Sequence, residues 1–183
     1  MSDARVATSD PCLVLSARSC DAVLFDLDGV LTKTASVHAQ AWKRLFDEML
    51  KQRQTTKGVD FVPFDICAEY AEHVDGKPRL DGVVAFLTAR GIDLPLGTAH
   101  DEAGYGSVHA LGRLKDRYFS EHLESNGVEP YEPAIALAGM LRSHRIRTAV
   151  VSSSNHCTAV LAAANIAELF DVRVDGRDGS QMG

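Results

Sequence analysis

Short apolar runs alternate with helical stripes along the chain, and their order predicts the architecture. Ala22-Val23-Leu24-Phe25 is a continuous apolar run ending in a polar turn, as a buried parallel strand requires. Val37, Ala41, Leu45 and Met49 recur every four residues, widened by Trp42 and Phe46, and predict an amphipathic helix opened by Thr34 or Ser36. Lys51 to Gly58 reads as a polar break. Further helices are predicted from Asp81 to Ala89, stopped by Gly91, and through Val108, Leu111, Leu114, Phe119 and Leu123 toward Gly127. A Gly-, Asp- and Pro-rich loop from Gly91 to Gly106 separates these two. Pro133 suits the first turn of a helix over Ala134 to Ser143. Thr148-Ala149-Val150-Val151 is a second strand, Val160, Leu161 and Ala164 mark a helix, and Val172-Arg173-Val174 is a third, weaker strand.

Strand, helix, helical insertion, helix, strand, helix, strand implies an α/β fold: a Rossmann-like parallel sheet with an inserted helical cap. The expected boundaries are a mobile leader over 1–20, a sheet domain from 21–36 and 128–183, and a helical cap over 37–127.

Length and charge narrow the picture. The 183 residues suit one domain, or one domain with a small insertion. With 19 Lys+Arg against 25 Asp+Glu the net charge is −6, and no basic run occurs, which argues against nucleic acid or an anionic membrane as partner. Cys12, Cys20, Cys67 and Cys157 are scattered without a Cys-x-x-Cys, so a reducing cytoplasm is the expected location. The run Cys12 to Leu15 is too short for a signal-peptide core or a membrane span.

The strongest chemical signal is Phe25-Asp26-Leu27-Asp28-Gly29-Val30-Leu31-Thr32. Its two carboxylates stand at the carboxyl end of a parallel strand, where open α/β sheets place ligands. A divalent cation would relieve their repulsion, and oxygen ligands favour magnesium. One carboxylate could then attack phosphorus while the other moves protons. A plain strand-ending Asp-Gly turn is the simpler alternative. A calcium loop is excluded, because its sixth and twelfth positions would be Leu31 and Val37 rather than Gly and Glu. A second polar turn, Ser152-Ser153-Ser154-Asn155, lies between a strand and a helix, where hydroxyls and backbone N–H groups cradle phosphate or simply cap the helix. Cys157 follows it and reads as buried filler.

On these residues the chain resembles the haloacid dehalogenase-like superfamily, in its β-phosphoglucomutase-like branch, over roughly residues 21 to 175. The stretch from Asp26 to Thr32 is similar to that family's first motif nearly letter for letter. The resemblance implies a magnesium-dependent phosphotransferase acting on a small-molecule sugar phosphate through an aspartyl-phosphate. It makes Asp26 the nucleophile and Asp28 the general acid/base, with Mg2+ held by Asp26 and the backbone carbonyl of Asp28. Ser152 matches the hydroxyl that holds the phosphoryl group, with Ser153, Ser154 and Asn155 in the adjoining loop. Thr34 and His38 fall where the branch keeps hinge residues that position the acid/base. Gly76-Lys77-Pro78-Arg79 resembles the substrate-specificity loop, whose Arg79 would grip the phosphate that is not transferred, and Lys115 resembles the cap lysine that faces the site.

The chain also departs from that pattern. No lysine occurs after Lys115, although the family places one after its third strand, and beyond Val174 only Asp175 and Asp178 are available for an acidic pair. The last residues read as a chain that stops inside the domain, a C-terminally truncated member of the family. Loss of that lysine and of a metal carboxylate removes several kcal/mol of electrostatic stabilisation. Arg173 or Arg177 could supply charge there, but a guanidinium has a different shape. Without a fourth strand, Ala22 to Phe25 would present an apolar edge. The expected activities are therefore a mutase, a phosphatase of the same branch with water as acceptor, or a chain impaired in catalysis.

Overall fold

The computed structural model describes residues 4–5, 14–16 and 18–178. Of the leader expected over 1–20, Ala4–Arg5 (β1) pairs antiparallel with Val14–Leu15 (β2); residues 1–3, 6–13 and 17 lie outside the described residues, as do 179–183. The remaining elements are Ala22–Asp26 (β3), Thr34–Lys57 (α1), Arg79–Ala89 (α2), Val108–Asn126 (α3), Glu132–Ser143 (α4), Arg147–Val151 (β4), Cys157–Ala163 (α5) and Val172–Val174 (β5). A π-helical turn, Tyr70–Val74, precedes α2, and a 3-10 turn, Ala167–Leu169, precedes β5. The chain divides into two compact units, a sheet unit of Met1–Thr34 with Val128–Gly183 and a helical unit of Ala35–Gly127.

The sheet unit is built on three parallel strands in the order β3-β4-β5. Register places Leu24 beside Ala149 and Val172, and Asp26 beside Val151 and Val174. Residues opposite one another in a ladder share a face, as do residues two apart in one strand, so Leu24, Val151 and Val172 lie on the same face of the sheet, and all three are exposed. Leu24, at 68% exposure, is the extreme case. The alternate positions Phe25, Thr148 and Val150 are buried. Phe25 packs edge-on against Phe170, with ring centroids 5.8 Å apart. Among the described residues β3 pairs with β4 alone, so the apolar edge expected of Ala22 to Phe25 is present.

Two stretches of backbone run side by side where the chain leaves the sheet unit and returns. Lys33 N–H donates to Glu129 O at 2.9 Å, Tyr131 N–H donates to Leu31 O at 2.9 Å, and Thr32 bridges Pro130 antiparallel. The Lys33 ammonium and the Glu129 carboxylate pair across the same ladder.

In the helical unit, α1 contributes most of the predicted stripe: Ala41, Trp42, Leu45, Phe46 and Met49 are buried, while Val37 at its start is half-buried. Phe46 stacks on Phe86 of α2 at 3.8 Å and on Trp42 at 5.2 Å, and Phe64 completes the ring cluster. The polar break expected at Lys51 to Gly58 is instead helix as far as Lys57. Lys, Gln and Arg are good helix formers, and no Gly or Pro intervenes before Gly58, whose φ of +66° ends the helix. α2 starts at Arg79 rather than Asp81, directly behind Pro78, whose fixed φ suits a helix entry. Glu69 and Arg90 form a two-pronged ion pair, Nε to Oε1 at 2.6 Å and Nη2 to Oε2 at 2.8 Å, tying the π-helical turn to the end of α2. Ser107 caps α3 by accepting from Ala110 N–H at 3.1 Å, and Gly127 ends it with φ +67°. No helix among the described residues is long and apolar enough to cross a membrane.

Candidate functional site

The turn after β3 is shaped by alternate burial. Phe25, Leu27 and Leu31 are buried and anchor it, so that Asp26 and Asp28, at the alternate positions around Leu27, are carried outward. Gly29 has φ +84°, a conformation open to glycine at little cost, and its N–H donates to Thr32 O at 2.8 Å. The N–H groups of Leu31 and Thr32 both donate to Leu27 O, closing the turn.

Asp28 is held from two sides. The Thr34 hydroxyl donates to Oδ1, and the Ser152 hydroxyl donates to Oδ2 at 3.3 Å. Thr34 is itself buried and lies 2.7 Å from the buried Thr32 hydroxyl, which also donates to Leu27 O at 3.2 Å. Thr32 is thus a supporting residue that the motif letters alone did not single out; its signal was its position two residues before Thr34. Asp26 ends β3 in register with Val151, the residue before Ser152, so the parallel ladder delivers both polar turns to the same end of the sheet.

The Ser run forms a tight loop of its own. Ser154 N–H donates to Ser152 Oγ at 3.1 Å, and His156 N–H donates to Ser154 Oγ at 3.2 Å. The expected cradle at a helix N-terminus is reduced by the brevity of α5, seven residues capped at His156 without a side-chain hydrogen bond. Serine hydroxyls, rather than a helix dipole, are what this loop offers an anion. A turn after β5 supports the loop from below: Ser152 N–H donates to Val174 O at 3.0 Å, and Gly176 N–H donates to Ser154 O at 3.4 Å. A Cβ at Gly176 would collide with Ser153 O and stand 2.6 Å from Asn155 Oδ1, so only glycine fits beneath the loop.

Cys157 is fully buried, and burial, with the Asp175 carboxylate second, pushes its thiol up to about 12. It is inert, as expected of buried filler. Asp175 is also buried and is met by Arg173 Nε at 3.2 Å and by Arg177 N–H at 2.9 Å, so the Arg173 charge is directed to Asp175.

In the helical unit, Lys115 and His38 come together. Lys115 is 4% exposed, and its Nζ lies 2.6 Å from His38 Nδ1. The contact joins the lysine nitrogen to an imidazole nitrogen whose donor or acceptor role follows the ring tautomer. The His38 ring stacks on Phe119 at 4.1 Å, and the Lys115 ammonium lies 5.0 Å from the same ring and 5.5 Å from Trp42. Trp42 is core packing. Gly76 takes φ +69° in the exposed turn ahead of α2, and Arg79 pairs with Asp116 of α3.

The oxygen donors at Asp26 and Asp28 suit magnesium, which keeps several waters and takes one or two carboxylates. Among the described residues there is no cluster of three or more His, Cys, Asp and Glu that could hold a metal ion.

The sequence model of the haloacid dehalogenase-like hydrolases matches residues 20–182. The chain is 41% identical over 155 residues to a β-phosphoglucomutase of Mycobacterium bovis, covering 85% of this chain and 59% of that protein. It therefore spans about three fifths of the length of that relative. Among solved structures it resembles a β-phosphoglucomutase from Clostridium difficile, with TM-score 0.63 at 23% identity, covering 87% of this chain and 62% of the other. It also resembles a mutant of CbbY from Rhodobacter sphaeroides in complex with xylulose-(1,5)bisphosphate, with TM-score 0.60 at 22% identity and coverages of 86% and 64%.

Proposed function

Given that the chain belongs to the haloacid dehalogenase-like hydrolase family, we propose that it carries the machinery of a magnesium-dependent phosphotransferase acting on a sugar phosphate. The observation that carries this reading is the meeting of Asp28 with Ser152 at the end of the sheet that also presents Asp26. In the proposed reaction an Asp26 carboxylate oxygen forms a bond to phosphorus as the phosphorus–oxygen bond of a sugar bisphosphate breaks. The departing sugar oxygen takes a proton from Asp28. The phosphoryl group then passes from Asp26 to the free hydroxyl of a sugar monophosphate that carries its phosphate at the other position, and Asp28 takes that hydroxyl's proton. Ser152 donates a hydrogen bond to the phosphoryl oxygens, and Ser153, Ser154 and Asn155 line the loop around it. Magnesium, held by Asp26 and the Asp28 carbonyl, would supply positive charge against the phosphoryl oxygens.

In the helical unit, Arg79 is assigned the phosphate that is not transferred, with Gly76 giving its loop the needed turn. Thr34, His38 and Lys115 are positioning residues: Thr34 steadies the Asp28 carboxylate, while His38 and Lys115 fix one another. The expected partner is a small sugar phosphate, in the cytoplasm.

The experiment is incubation with β-glucose 1-phosphate, a trace of its 1,6-bisphosphate and magnesium, following glucose 6-phosphate. Product that disappears in Asp26→Asn supports the reading; product that survives this change overturns it. Release of inorganic phosphate without isomerisation makes water the acceptor and the chain a phosphatase.

A further inference from the structure

Arg79 opens α2 with its guanidinium turned onto α3, where Nη1 pairs with Asp116 Oδ2; the two side chains are 25% and 27% exposed. The fit depends on a glycine. A Cβ at Gly112 would stand 2.8 Å from Leu80 Cδ2 and 3.2 Å from Arg79 Nε. That same Nε is buried and has no acceptor among the described residues. A guanidinium is built to give two parallel hydrogen bonds to a carboxylate or phosphate, and here only one arm is used. A buried donor left without an acceptor is costly. Burial, and then the like charge of Arg113, also oppose the charged form of Arg79 in this pose. Asp116 is open to solutes, because it lines with Arg113, Arg117, Glu102 and Ala103 a groove of about 640 Å³.

We infer that Asp116 is the resting partner of Arg79: it parks the guanidinium on the Gly112 surface of α3, and a phosphate monoester must displace this carboxylate to engage the arginine. A phosphate dianion brings nearly twice the charge of a carboxylate and three acceptor oxygens, so it can fill both arms of the fork. Asp116 thereby acts as a specificity-determining residue, since a singly charged or neutral sugar gives no comparable return for breaking the pair. The inference rests on the assignment of Arg79 to a substrate phosphate. If the parked pose holds nine chains in ten, apparent affinity falls about tenfold relative to a chain in which it cannot form.

The test is calorimetric titration of the whole chain with glucose 6-phosphate at fixed ionic strength, on the parent, Asp116→Asn, Gly112→Ala and Arg79→Ala. The expected result is about tenfold tighter binding in Asp116→Asn and a loss of about tenfold in Arg79→Ala. Gly112→Ala crowds the parked pose while leaving both charges, and tighter binding is expected there as well. Circular dichroism melting identifies a variant that does not fold, and the other then supplies the readout. A purely structural pair would not tighten binding when broken. Binding unchanged or weaker in the folded variants, with the Arg79→Ala loss intact, overturns the parking role alone. Binding unaffected by Arg79→Ala, or absent from all four proteins, removes the assignment of Arg79 and this inference with it.

Discussion

The Ser152 hydroxyl lies 3.3 Å from Asp28 Oδ2 although 124 residues separate them. The parallel pairing of β3 with β4 makes that meeting possible, because it aligns the carboxyl ends of both strands. Hydrogen bonds to charged groups contribute about 1.5–3 kcal/mol, so Ser152→Ala is expected to weaken inorganic phosphate binding about ten- to hundredfold. Titration calorimetry checks it, with melting temperature as the control for folding. The same measurement on Gly176→Ala is expected to show a loss, because the new methyl group displaces the Ser153 carbonyl and with it the loop.

The two threonines beneath Asp28 should separate stability from chemistry. Thr32→Val removes a buried hydroxyl, but Leu27 O keeps its two backbone donors. A cost of about 1 kcal/mol is expected, read by urea unfolding. Thr34→Val instead removes a donor from the Asp28 carboxylate, and is expected to lower turnover by more than its effect on stability explains.

Most of this arrangement was legible in the letters. The strands, their order and the Asp26 to Thr32 turn follow from apolar runs ended by polar turns, a local signal. What escaped depended on distant partners. Nothing near Gly176 in sequence shows that its α-carbon sits under Ser153, and nothing near Asp116 shows that it meets Arg79. The extension of α1 to Lys57 was missed for another reason: a solvated helix end has no stripe to reveal it, only propensity. The brevity of α5 was equally invisible, since Val160 and Leu161 give the same pattern in a long helix as in a short one.

Acid should weaken the helical unit through Glu69. Hydrogen bonding from Arg90 holds its carboxyl below the ordinary value of 4.5, against the opposing effect of burial. A depressed carboxylate stabilises the fold above the unfolded value, and that contribution disappears as pH falls through the folded value. Arg90→Ala should therefore cost about 2 kcal/mol at pH 7, where a charge-assisted pair is lost. It should cost progressively less below pH 4.5, narrowing the gap between parent and variant in urea titrations at stepped pH.

Leu24 tests the open sheet edge. At 68% exposure it contributes little to the core, so Leu24→Lys should change stability by no more than about 0.5 kcal/mol. A charge on an edge strand opposes edge-to-edge pairing. Light scattering across a concentration series should show less self-association in the variant than in the parent.

The ladder of Leu31 to Lys33 against Glu129 to Tyr131 gives the whole insertion a single doorway. Outgoing and returning backbone are already neighbours there, about 5 Å apart as paired strands are. A short Gly-containing splice in place of 35–127 would ask almost no new loop closure of what remains. The pairing of β3 with β4 would keep its register through such a splice, since none of its paired residues lies within 35–127.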